Sequence, residues 1–315
     1  MFFTREKLLK KYGGINWVSP YSKIIAMYSD GFIEIHEFHA RNKCIGGSAW
    51  EVYHYPRVSS LIVGARREGA RNIFVAKIGK TKLSLLPGIA SAGIEEVRVH
   101  EEINEVEITY SGLAGGGIAA TICRGMAEGV KGIEILKKGG GGKLGKAKLF
   151  LPIKKKVVVG VDDTDSKDEG ATWSLVNEIA FELETKGFGD YLKHTITQLY
   201  PKNPYKTTNC VSVAVTFAVE CNKVDHLINE FKKLLNDRTL SDETAIAVFK
   251  KIVIPELLKK YGMEAKKRML DLDYAERIAN CCDIELTPIK GDMGKIGALA
   301  SISFENNPDE AVKLI

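Results

Sequence analysis

Val157-Val-Val-Gly-Val-Asp-Asp-Thr-Asp-Ser-Lys-Asp-Glu-Gly-Ala-Thr-Trp173 is a β-branched apolar run that ends abruptly in acid. Its first five residues are compact enough for a buried strand. Asp162, Asp163 and Asp165 stand where that strand stops, three carboxylates within four residues. Like charges so close oppose folding unless a cation neutralises them. Hard oxygen ligands of this kind suit magnesium, which keeps several waters and shares its shell with substrate phosphates. In open α/β sheets, ligands collect at the carboxyl ends of strands. Gly170-Ala-Thr172 then leads into a helix whose first amides would face an anion. The plainer alternative is a solvated loop in which Thr164 or Asp165 caps that helix. An EF-hand is excluded, because its sixth-position glycine and twelfth-position glutamate have no counterparts here.

Downstream, the pattern alternates as in an α/β domain. Helical spacing covers Trp173–Lys186 and Val224–Leu235, and strands are expected at His194–Tyr200 and Cys210–Val219. Thr244–Tyr261 and Glu264–Cys281 read as further helices, interrupted at Pro255 and Gly262. Upstream, the chain reads as strands. Ile24–Tyr28 and Phe32–Phe38 flank Ser29-Asp30-Gly31, a strong hairpin signal. Asn72–Ile78 and Lys82–Leu86 form a second candidate hairpin across Gly79-Lys80-Thr81. Glu105–Tyr110 alternates as a half-buried strand, Ile118–Gly129 has helical spacing, and Ile133–Leu136 and Lys146–Pro152 are short strands. Glycine-rich turns are expected at Gly46-Gly47 and Gly115–Gly117. Gly139–Gly142 should not hold regular structure, since glycine loses the most conformational freedom on ordering.

The bulk numbers narrow the class. A length of 315 residues fits two domains, with the boundary near Leu151–Lys156. Hydrophobic residues at 45% and charged residues at 27% are ordinary for a soluble globular chain. No apolar run reaches the length of a membrane span, and the charged N-terminus has no signal-peptide core, so a cytoplasmic, membrane-free protein is expected. Six scattered cysteines contain no C-x-x-C pair, which argues against disulfides and a four-thiolate zinc site. A net charge of +5 is only mildly basic. Lysine runs at Lys137–Lys148, Lys154–Lys156 and Lys259–Arg268 attract phosphates in general, but solvated faces are the commoner explanation. His36, His39 and His54 lack a ligand spacing.

Gly160-Val-Asp-Asp-Thr-Asp-Ser166 with Gly170-Ala-Thr172 resembles the kinase-like domain of archaeal agmatidine synthetase, which uses ATP to join agmatine to a tRNA cytidine. Leu199-Tyr-Pro-Lys-Asn-Pro-Tyr-Lys-Thr-Thr-Asn209 is similar to a second segment of that enzyme. Gly294-Lys-Ile-Gly-Ala-Leu-Ala300 and Asp309–Ile315 are similar to others. Over its whole length the chain resembles methanogenesis marker protein 11, on segments such as Cys44-Ile-Gly-Gly-Ser-Ala-Trp50 and Cys123-Arg-Gly-Met-Ala-Glu-Gly129. The resemblance implies an α/β (α+β) protein. A β-rich N-terminal domain, 1–152, would supply the acceptor or partner side. An ATP- and magnesium-binding kinase-like α/β region with a ferredoxin-like extension would follow, 153–315.

On the same basis, Asp162, Asp163 and Asp165 are expected to hold metal and ATP. Thr172 matches a threonine that becomes phosphorylated, and Lys206 would neutralise migrating phosphate charge. Gly160, Thr164, Ser166, Gly170, Thr207 and Asn209 are expected to line the nucleotide site. The reading is an ATP-dependent kinase- or ligase-like transferase acting on a small-molecule or protein acceptor of methanogenic metabolism. The alternatives are a nucleotide-responsive assembly factor and a tRNA-modifying protein. The arginine and glycine of the synthetase's Lys-Thr-Arg-Gly-Asn segment are missing, and the chain stops where the synthetase continues into an OB-fold and a zinc ribbon. For those reasons a tRNA partner is not expected.

Overall fold

The chain folds as an α+β protein, and a computed structural model describes residues 1–89 and 91–315 of it. It divides into two units, Met1–Lys154 and Lys155–Ile315. The first unit carries β1 (Phe2–Thr4), β2 (Ile24–Ser29), β3 (Phe32–Phe38), β4 (Ile62–Glu68) and β5 (Arg71–Lys77). After these come β6 (Gly79–Lys80), β7 (Ala92–His100), β8 (Glu105–Gly112), β9 (Gly132–Gly140) and the long β10 (Lys143–Asp162). The strands pair in the order β4-β5-β3-β2-β10-β8-β7-β6, with β9 joining β10 to β1. The β2–β3 hairpin turns at Asp30 and Gly31, whose φ values of 50° and 77° suit the tight primed turn that the sequence announces.

Several expectations fail in this unit for local reasons. Lys82–Leu86 is not a strand. β5 pairs with β3 and β4 instead, and Gly79-Lys80 forms β6 against β7. Gly46-Gly47 lies inside the helix Ile45–Val58 rather than in a turn. A methyl on Gly47 would overlap the His39 ring, so the glycine serves close packing. Gly115–Gly117 likewise begins the helix Ala114–Ile118 instead of forming a loop. The four-glycine run takes part in regular structure. β9 continues through Gly140, and Gly139, Gly140 and Gly141 (φ 69°, 106° and 56°) close the hairpin onto β10.

A buried polar knot lies behind this sheet. Arg124, fully buried, donates to both oxygens of Glu37 at 2.8 and 2.9 Å, to Glu51 at 3.0 Å and to the Tyr55 hydroxyl at 3.0 Å. The Tyr21 hydroxyl donates to Glu51 at 2.6 Å. His36 bonds Glu34 at 2.8 Å, His39 approaches Glu51 and His54 packs at a tilt against Trp50. The three histidines therefore have separate structural partners.

In the second unit the end of β10 is joined by β11 (Asp190–Gln198), β12 (Val211–Glu220), β13 (Ala245–Phe249) and β14 (Glu285–Pro288), in the order β11-β12-β10-β13-β14. Val157, Val159 and Val161 face the helices Thr172–Thr185 and Val224–Arg238. Val158 faces the opposite core, with the helices Glu256–Ala265, Leu272–Cys282 and Gly294–Ile302. Both faces are covered, which is why the run is continuously apolar. The helix expected at Thr244–Tyr261 is instead the strand β13 followed by a loop and a helix that starts at Glu256. All five β13 residues are buried, so no period-2 alternation exposes it as a strand. Lys156 is no boundary lysine in solvent. It is fully buried in an ion pair with Glu305 at 2.9 Å, and Glu305 also holds Lys193 at 2.8 Å.

Candidate functional site: an acidic turn at the end of the central strand

The carboxyl end of β10 enters a turn that neighbouring elements fix from several sides. Asp163 has φ 55°, a left-handed conformation that aspartate tolerates better than most residues. The Thr244 hydroxyl donates to the Asp163 carbonyl, and the Leu240 amide donates to the Thr164 carbonyl at 2.9 Å. Thr172, the first residue of the helix Thr172–Thr185, receives the Thr164 amide at 3.3 Å and the Thr164 hydroxyl at 3.0 Å. Its own hydroxyl donates to Asp165 Oδ1 at 3.3 Å, and Thr207 donates to Asp165 Oδ2 at 3.4 Å. Ser166 closes the outer loop by accepting the Glu169 amide at 3.1 Å. Gly170, with φ 97°, makes the reversal into the helix.

Two depressions meet at Asp165. One encloses about 110 Å³ and is lined by Asp162, Asp163, Asp165, Lys206, Thr207, Asn209 and Arg268 among others. The other, about 300 Å³, is lined by Asp165, Ser166, Gly170, Thr172, Thr208 and Asn209. The fold thus gathers Asp162, Asp163, Asp165, Ser166, Gly170, Thr172, Lys206, Thr207 and Asn209. Gly160 and Thr164 line neither depression. Gly160 packs so tightly beneath the helix Gly294–Ile302 that a methyl would overlap the Ala298 carbonyl. Thr164 is buried and acts through Thr172.

The electrostatics are unusual. Burial, and then the charge of Asp163, hold the Asp162 carboxyl well above the usual carboxylate range. Burial, with the charges of Asp165 and Glu243, pushes Asp163 up to about 6. Among the described residues no Lys, Arg or His pairs with any of the three aspartates. Uncompensated carboxylates in a sheltered depression, with hard oxygens and a lysine across the same space, fit a divalent cation shared with an anion. Among the described residues no group of three or more His, Cys, Asp or Glu side chains is arranged to hold a metal ion by itself. Magnesium does not require one, since it draws most of its shell from water and phosphate.

Sequence reasoning misses Arg268, Tyr200, Asn203, Tyr205 and Gly297 as lining residues. Arg268 stands at the end of a basic run with nothing to set it apart. Tyr200, Asn203 and Tyr205 belong to the Leu199–Asn209 segment, whose prolines and mixed polarity give no basis for choosing among its side chains.

Comparison with known proteins places the chain. The uncharacterized protein MJ0921 of Methanocaldococcus jannaschii is 47% identical over 296 residues, which is 93% of this chain and 97% of that protein. The chain belongs to the MJ0921 family. Within it, residues 158–224 match the family described as the TiaS TCKD domain. The tRNA 2-agmatinylcytidine synthetase TiaS of Pyrococcus horikoshii is 31% identical over 152 residues, 47% of this chain and 36% of the synthetase. The Thermococcus sibiricus synthetase is 29% identical over 150 residues, 47% of this chain and 35% of the synthetase. A crystal structure of TiaS in complex with its tRNA and ATP aligns at 25% identity and a TM-score of 0.42, over 47% of this chain and 36% of that one. The chain thus spans about a third of the length of these synthetases. About half of it is homologous to enzymes named for a tRNA, which overturns the expectation that tRNA is no partner. Among the described residues no helix is long and apolar enough to cross a membrane.

Proposed function

We propose that this MJ0921-family chain is a magnesium–ATP-dependent enzyme that modifies RNA, with tRNA as the leading substrate class. The observation that carries the reading is three carboxylates with no Lys, Arg or His partner that line one depression together with Lys206, at the end of a central strand inside the region homologous to TiaS. Asp162, Asp163 and Asp165 would hold magnesium, whose charge would let a triphosphate approach the acidic turn. Lys206 would offset negative charge that develops during phosphoryl transfer. Thr207 and Asn209 would contact phosphate oxygens. The Thr172 hydroxyl, which donates to Asp165, would accept the γ-phosphoryl group of ATP, with ADP as the leaving group and Asp165 taking the hydroxyl proton.

The enclosed 110 Å³ falls short of the roughly 300 Å³ of an ordinary small-ligand site. It would therefore hold the charged end of the nucleotide and leave the nucleoside on the open side, towards Tyr205 and Met269. The synthetases' own name makes an amine such as agmatine a candidate co-substrate. The resemblance to methanogenesis marker protein 11 and the methanogen source of the 47% relative make methane-metabolising archaea the proposed setting.

The test is ATP consumption by the full chain with magnesium, with and without total archaeal tRNA and agmatine. Turnover that rises with tRNA supports the reading. ATP binding with no turnover under any of these additions would replace it with a nucleotide-responsive binding factor.

A further inference from the structure

We propose that the first unit carries a contact surface for single-stranded RNA, built from Trp17 and the lysines of the β9–β10 hairpin. The choice of RNA among polyanions rests on the RNA-modifying reading above; the surface itself rests on separate observations.

A groove of about 610 Å³ is lined by Trp17, Ile118, Ile122, Lys137, Lys138 and Lys143. Trp17 is 63% exposed, and the floor beneath it is apolar. No acidic residue lines the groove. Further along the same hairpin, Lys146 and Lys148 are neutralised by Glu95 and Glu107 at 2.6 and 3.1 Å. Among the described residues Lys137, Lys138 and Lys143 have no such partner. The hairpin therefore neutralises its lysines over the sheet and leaves three unpaired around an exposed indole.

The backbone explains how they come together. Gly139, Gly140 and Gly141 all adopt positive φ, and a Cβ on Gly139 would stand 2.8 Å from the Gly145 Cα. A methyl on Gly145 would overlap the Gly117 carbonyl. Only glycines let the hairpin tip press onto the segment that supplies Ile118 and Ile122, and this pressing holds the lysines at the groove's rim.

An aromatic platform with cations beside it, and no fixed pattern of hydrogen-bond donors, is the chemistry that binds unpaired nucleotides with little sequence preference. A base stacks on the ring while lysines meet the phosphates. An anionic membrane would also attract the lysines, but insertion needs several protruding apolar side chains. Here Ile122 is fully buried and Ile118 and Leu144 are partly buried, which leaves Trp17 as the one exposed apolar side chain lining the groove.

The experiment titrates the full-length protein into a short fluorescein-labelled oligouridine and follows anisotropy at several salt concentrations. Trp17→Ala should weaken binding roughly tenfold, and Trp17→Phe should restore most of it. Lys137→Gln, Lys138→Gln and Lys143→Gln combined should lower the slope of log affinity against log salt by about 2. Far-UV circular dichroism and the thermal melt should be unchanged in every variant, which shows that each remains folded. The inference is overturned if wild-type protein fails to bind oligouridine, if the variants bind as wild type does, or if phosphatidylserine vesicles bind through Trp17 while oligouridine does not. Binding through Trp17 without any tRNA effect on ATP turnover would instead sink the modification reading and leave this surface standing.

Discussion

The Asp162 carboxylate lies against the backbone of Gly297, in a space that exists only because residue 297 has no side chain. Gly294, one turn earlier, likewise admits the Asp162 carbonyl and the Glu243 carbonyl. The helix Gly294–Ile302 therefore sets where the first aspartate of the turn can point. Gly297→Ala should displace that carboxylate and weaken magnesium–ATP binding at least tenfold, at a stability cost of about 1–3 kcal/mol from overpacking. Calorimetric titration beside a thermal melt separates the two effects. Wild-type nucleotide affinity in a folded variant would remove Asp162 from the site.

Asp163→Asn keeps a side chain that tolerates left-handed backbone and removes one of the crowded charges. Without ligand the variant should be more stable at neutral pH, by about 1 kcal/mol or more. The sign follows from the raised carboxyl, about 6 in the fold. Ionising such a group at pH 7 costs the native state more than the unfolded one. With magnesium–ATP the order should reverse, since wild type alone gains the full ligand stabilisation. Urea denaturation with and without the ligand reads both.

Much of this site is legible because strand and acid adjoin in one short stretch. Val157–Val161 announces a buried strand, and Asp162, Asp163 and Asp165 follow without a spacer, so position and chemistry come together. Thr172 and Lys206 are found by resemblance to a known motif, since a lone threonine or lysine carries no signal of its own. Gly297 lies in a segment that the resemblance covers, but its contact with Asp162 comes only through tertiary packing, and Arg268 lines the depression with no local mark in the chain. The same contrast holds for the fold. The β2–β3 hairpin is visible in its Asp-Gly turn, whereas β13 reads as helix because burial on both faces erases its alternation. The helix Ile45–Val58 is hidden by Gly46-Gly47 at its start and Pro56 near its end, residues that normally break helices.

If Thr172 accepts a phosphoryl group, incubation with magnesium–ATP should add one phosphate to the tryptic peptide containing it. Asp165→Asn should abolish that mass shift. An unmodified Thr172 beside active ATP turnover would confine its role to holding Thr164 and Asp165.

Arg124 joins two buried carboxylates through the forked geometry of its guanidinium. Arg124→Met should cost about 3–5 kcal/mol, because Glu37 and Glu51 would remain charged and buried without their cation. Arg124→Lys should recover only part of this, since an ammonium cannot bond both oxygens of Glu37 and reach Glu51 together. Chemical denaturation followed by fluorescence measures the loss. A variant with wild-type stability would show the knot to be energetically neutral.

Acid should loosen the first unit in two stages. Burial lowers His36 to about 4 against the opposing pull of Glu34, with Arg71 and Arg66 adding to the depression. The unfolded chain therefore binds a proton that the fold refuses, and stability falls as pH drops from about 6.5 towards 4, by up to about 3 kcal/mol. Burial alone would raise Glu51, yet Arg124, His39 and Tyr21 hold it at about 2, and the stability this contributes is lost below pH 4.5. His36→Gln should flatten the upper stage and leave the lower one. An unchanged profile in that variant would mean that His36 does not titrate with unfolding.

β10 is the last strand of one unit and a central strand of the next. During synthesis the ribosome completes the first sheet only when residues up to 154 have emerged, and the very next residues lay down the strand against which β12 and β13 will later pair. Nascent chains halted near Gly142 would expose β2 and β8 without the strand that lies between them, and so present open edges to chaperones. Translation speed across Lys143–Asp162 thus becomes a quantity to which the yield of native protein should respond.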